Sequence, residues 1–230
     1  MGPYLSAFFA LSSALLVDRS FPVYRRTRSV AILLILWPVV GLIYESLLLL
    51  VGQRLGASPR LEALNALRYW LNAAFMPFWL LAAADLLYRA GIGGRAARRA
   101  GLLAALALIG LGALQTLRAQ WQPVEIFGTL HYRDFSGALP LALPITALLL
   151  TAAGAALWRK LRWPGLFAAA LFLLVASVLP VNTVGPFPQW AAQLTVAVAL
   201  LRAEPRVARV DTASVPADVA ARLSAYRREE

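Results

Sequence analysis

Asn65, Arg68 and Asn72 lie at helical spacing inside an apolar run, 62–89, EALNALRYWLNAAFMPFWLLAAADLLYR, that is long enough to cross a bilayer. At about 100° per residue they fall within one narrow arc, together with Tyr69, Met76 and Trp79. A guanidinium and two carboxamides facing lipid are costly, so this stripe must face other helices or a water-filled cavity. Glu45 stands in the preceding apolar run, 30–51. A carboxylate can exchange a proton, a guanidinium can hold an anion, and carboxamides both donate and accept hydrogen bonds. That set suits recognition or proton coupling within a polar seam.

Other chemistry is narrowed by what the chain lacks. There is no cysteine, so disulfides, thiolate nucleophiles and cysteine metal sites are excluded. The single histidine, His131, excludes a multi-histidine metal site. No Gly-x-Ser-x-Gly elbow, His-Glu-x-x-His motif or paired aspartate motif of prenyl transfer occurs. The chain therefore leans away from enzymes. An intramembrane enzyme acting on a lipid or isoprenoid, with Glu45 or His131 as acid/base, is the third alternative. His131 and Asp134, in HYRD, are candidates for an outer proton relay from an exposed loop.

The elements that position these residues follow from composition. Of the 230 residues, 60% are hydrophobic and 14% charged, where a soluble domain would carry about 25%. Apolar runs at about 3–17, 30–51, 62–89, 101–117, 138–157, 164–180 and 188–201 predict seven spans. The first run is short, which predicts either a thin helix or a start lying upstream, and it lacks the basic flank of a signal peptide. Pro140 and Pro144 predict a bent fifth span. Between spans four and five, 118–137 is a long loop of mixed charge, rich in aromatics. Asp85 and Arg89 predict a helix-end ion pair.

The net charge of +11 resides in short runs between apolar segments, which argues for loops at an anionic membrane face and against nucleic acid. Loops 18–29, 89–100 and 158–163 and the tail from Arg202 hold 17 of the 22 lysines and arginines. Their side is cytoplasmic by the positive-inside rule. Glu45 then lies six residues before the outer end of span two, and Arg68 six after the outer start of span three. Both sit roughly 9 Å inside the boundary. Opposite charges at matched depth predict a Glu45–Arg68 pair, direct or through water, with Asn65, Asn72, Tyr44, Tyr69, Gln189 and Gln193 around it. Arg133 and Asn182 fall on the same outer side.

The third span resembles the third helix of microbial rhodopsins: Arg68-Tyr69, with Pro77 nine residues after the arginine and a leucine-rich run beyond. The seventh, QWAAQLTVAVALLR, is similar in spacing to that family's last helix, with Gln189, Gln193 and Arg202 at its aspartate, lysine and arginine positions. The resemblance implies a rhodopsin-like seven-helix bundle with a pocket at mid-membrane. It does not imply covalent retinal, because Gln193 cannot form a Schiff base. Leu71 stands at the counter-ion position, Asn72 at a tryptophan that flanks the chromophore, and the long loop follows span four instead of span two.

The chain thus predicts an all-α membrane protein of seven transmembrane helices, start outside and tail cytoplasmic, in a bacterial cytoplasmic membrane. Residues 1–201 form the bundle. Residues 202–230 form a polar tail, in which Val219, Leu223 and Tyr226 share one face of a short amphipathic helix. The expected function is binding or sensing a small or apolar ligand at an outward-facing site of Glu45, Arg68, Asn65, Tyr69, Asn72, Gln189 and Gln193. A small proton-coupled transporter is the first alternative, and a structural or assembly role without a ligand is also open. No cofactor is expected, although a non-covalent carotenoid or lipid fits the seam. Membrane lipid and a second copy of the chain are the expected partners.

Overall fold

The computed structural model describes residues 2–126, 128–136, 140–179 and 185–213. Asn182 and the tail helix foreseen beyond Ser214 lie outside the described residues. The chain is predominantly α-helical, and its helices run back and forth, joined by short turns. Helix α1 (Gly2–Thr27) passes to α2 (Val30–Leu55) at Arg28, which adopts φ 50°. At the far end of α2, Gly56 at φ 60° and Ser58 start α3 (Pro59–Phe75). The Ser58 hydroxyl accepts from the Leu61 N–H at 3.3 Å, Pro59 opens the first turn and Glu62 complements its dipole.

The third apolar run is not one helix. Pro77 has no N–H to continue the ladder, so the chain tightens into i→i+3 bonds, Trp79 N–H to the Met76 carbonyl and Leu80 N–H to that of Pro77. Helix α4 (Phe78–Arg89) follows, and glycines at φ 74° and 70° (Gly91, Gly93) turn the chain into α5 (Gly94–Arg118).

Two expectations are corrected. The run at 3–17 extends into α1 through the basic stretch to Thr27, because Asp, Arg and Ser are helix-compatible and no glycine interrupts. Pro144 does not bend the fifth span. It falls in the first turn of α6 (Ala142–Leu161), where its missing N–H has no helical partner to lose.

Helix α7 (Gly165–Val178) packs antiparallel on α6, so closely that a Cβ on Gly154 would stand 2.6 Å from the Phe167 nitrogen. Helix α8 (Phe187–Ala213) continues unbroken past Leu201 and through Pro205.

The aromatic loop is an antiparallel hairpin of β1 (Trp121–Ile126) and β2 (Thr129–Asp134), in register from Trp121↔Asp134 to Ile126↔Thr129. It lies over the ends of α2 and α3, where Tyr132 packs with Leu48 and Leu61. Gly52 permits this docking: a Cβ there would collide with the Leu130 carbonyl oxygen.

The core lies among α2, α4, α6, α7 and α8. At its centre, fully buried Trp79 donates from Nε1 to the Ile35 carbonyl at 3.1 Å, tying α4 to α2. Among the described residues, four segments are long and apolar enough to cross a membrane: Val30–Gly52, Pro59–Arg89, Gly94–Arg118 and Ala142–Leu161. Their outer faces are apolar as well. Leu103 and Leu117 of α5 stand 68% and 70% exposed, a surface suited to hydrocarbon and not to water.

Candidate functional site

Where α2 and α3 lie side by side beneath the hairpin, the polar residues of both helices meet. Arg68 Nη1 stands 3.6 Å from Glu45 Oε1, and Asn72 Nδ2 donates to Glu45 Oε2 at 3.4 Å. These contacts are longer than the 2.7–2.9 Å of a tight charge-assisted hydrogen bond. Arg68 is 6% exposed, and Glu45 is nearly as enclosed. From above, the Tyr132 carbonyl of β2 accepts from Arg68 Nη2 at 3.3 Å. The guanidinium also lies 4.6 Å from the centre of the Tyr69 ring, which in turn packs on Trp121 of β1. Arg68 is thereby held by a carboxylate, a carbonyl and an aromatic face, each from a different element.

The remaining predicted residues divide. Tyr44 donates from its hydroxyl to the Leu64 carbonyl at 2.9 Å, crossing from α2 to α3. Asn65 turns its amide back to the Leu61 carbonyl at 2.8 Å, leaving its buried Oδ1 without a partner. Gln193, on α8, is buried and its Oε1 also lacks a partner. Gln189 is half-buried one turn earlier. Neither glutamine is hydrogen-bonded to Glu45, Arg68 or Asn72.

His131 is not in an exposed loop. The hairpin folds it inward to 5% exposure with Nδ1 unpartnered. Burial, then the positive charge of Arg68, lowers its pKa to about 4, so it is neutral at physiological pH. Asp134 closes the hairpin base: its carboxylate accepts from the Gln120 and Ser136 N–H groups at 2.9 and 2.8 Å and from the Ser136 hydroxyl at 2.9 Å. Burial pushes that carboxyl up, but these bonds outweigh it and hold it below its ordinary value.

The arrangement can bind and orient a polar group, or take up a proton at Glu45. Among the described residues no three histidine, aspartate or glutamate side chains gather as a metal-holding group. No protein-family model matches the chain, and neither the curated proteins nor the solved structures searched contain a match.

Two participants are absent from the sequence-derived site. The Tyr132 carbonyl and Trp121 enter through the hairpin, whose signal is the alternation of Val124, Ile126, Leu130 and Tyr132 about Phe127-Gly128.

A second charged cluster forms at the opposite end. Asp85 pairs with Arg89 at 3.0 Å, as its spacing predicts, and with Arg98 at 3.4 Å, while Arg89 also contacts buried Glu204 of α8.

Proposed function

We propose that the chain is a polytopic membrane protein of seven passes, start outside and tail cytoplasmic, whose outward-facing polar site beneath the hairpin binds a small ligand. The carrying observation is the buried, loosely engaged Arg68–Glu45 pair beside the orphaned acceptors Asn65 Oδ1 and His131 Nδ1. Buried charge pairs contribute little to stability, and intramembrane charges mark functional paths. Orphaned buried polar atoms call for a partner from outside the chain, either water or a ligand group. A ligand with hydrogen-bond donors and an anionic or strongly accepting group would meet the neutral histidine, the carboxamides and the guanidinium together. The resemblance of the third span to microbial rhodopsins supports the same location, a pocket at the arginine. Mass spectrometry of solvent extracts from gently purified protein tests the proposal. A stoichiometric molecule in the wild type that is lost in Arg68→Ala supports it, and bulk lipid alone in both samples refutes it.

Proton-coupled transport through Glu45 is the second reading. It is favoured by the break at Met76–Pro77, one turn from Asn72, because interrupted helices border the sites of many transporters. Uptake into vesicles that survives Glu45→Gln unchanged would exclude it.

A further inference from the structure

A shallow surface depression of about 360 Å³ lies between the α4–α5 turn and the last turns of α6, lined by Ile92, Ala156, Arg159 and Lys160. Both cations are exposed, and neither has an acidic partner among the described residues. Of the acids of α4 and α8 at this end, Asp85 and Glu204 are engaged by Arg89 and Arg98. Among the described residues, the positive charge of this surface is uncompensated.

Below it the surface is apolar. Ile145, Leu149, Ala152 and Ala156 recur at four- and three-residue spacing along α6, so they form one stripe, and Arg159 and Lys160 stand one turn beyond its end. Ile145 and Leu149 are 36% and 38% exposed. Helix α5 packs mainly on α3 and α4 and touches α6 little, which leaves this stripe open along its length. Trp158, 43% exposed, directly precedes the two cations, as aromatic side chains do at the level of lipid headgroups.

We propose that an anionic phospholipid docks here, its phosphate between Arg159 and Lys160 and an acyl chain along the Ile145–Ala156 stripe. The shape complements the molecule: one apolar track topped by two free cations, at the end of the chain where positive charge accumulates. This site rests on the membrane-spanning reading but not on the Arg68–Glu45 site.

The test uses the full chain in a neutral detergent, titrated with phosphatidylglycerol or phosphatidylcholine of identical chains and read by native mass spectrometry. Preferential retention of phosphatidylglycerol is expected, weakened about thirtyfold in the double variant Arg159→Gln/Lys160→Gln. Arg118→Gln, an exposed cation at the hairpin end, should leave it unchanged. Equal retention of the two lipids, or undiminished phosphatidylglycerol binding in the double variant, would overturn the site. Alkaline carbonate washing of native membranes separates the two levels: release of the chain overturns the membrane reading and the site together, whereas retention with no lipid preference overturns the site alone.

Discussion

Arg68 and Glu45 decide the character of the seam, because each is tolerable in its surroundings only while the other is present. Removing one partner leaves an uncompensated buried charge, a loss of about 3–5 kcal/mol. Arg68→Ala and Glu45→Leu should each lower the unfolding midpoint in detergent accordingly, with Arg68→Ala also freeing the hairpin from its Tyr132 anchor. The pair is legible in the sequence because depth along two consecutive spans can be counted from the loops. The state of His131 is not, since its burial depends on how the hairpin docks. Its pH dependence follows from the depressed pKa. Above pH 6.5 the neutral histidine contributes its full stabilisation; between 6.5 and about 4 the unfolded chain takes up a proton that the folded chain does not, and stability falls. The fall amounts to about 3 kcal/mol and levels off below that range. Denaturation midpoints measured across this window should slope in the wild type and lie flat in His131→Leu.

Helices and hairpin contribute at the next scale by setting which residues meet. The apolar runs are legible as helices because leucine and alanine dominate them over lengths that match a bilayer. Helix ends are less legible: α1 and α8 continue into charged stretches that read as loop and tail, because arginine, glutamate and alanine favour helix whether or not lipid surrounds them. The hairpin is the largest feature that composition hides. It roofs the seam, supplies the Tyr132 carbonyl, packs Trp121 on Tyr69 and excludes water from His131. Gly52 admits it, so Gly52→Val should force it outward at a cost of about 1–3 kcal/mol. Faster hydrogen exchange confined to β1 and β2, with the helices unchanged, is the expected signature. Protection equal to wild type would show that the hairpin is held without the close approach.

For the whole molecule, charge is distributed by end. The hairpin end holds the loosely engaged pair, and the opposite end holds the tight Asp85–Arg89–Glu204 cluster with most of the exposed cations. Between them the interior is apolar, from Trp79 through Leu150 and Leu173 to Leu200. The polar seam thus lies under the hairpin, and the tight charged cluster lies at the basic end. Orientation can be measured directly, because the chain has no cysteine to remove. Single cysteines at Gln122 and Arg99 should react with an impermeant maleimide from opposite faces, Gln122 from outside intact cells and Arg99 only after lysis. Labelling of both from one face would contradict the seven-pass path.

Stability and occupancy can be read together in one sample of the paired replacement Glu45→Leu/Arg68→Met. Exchanging both charges for apolar groups of similar size should recover most of the stability that either single change removes. If the pair serves a ligand, the double variant folds near wild-type stability and purifies without the molecule that accompanies the wild type. A stable double variant that still carries that molecule would contradict the account, and the seam would then be a structural joint between α2 and α3.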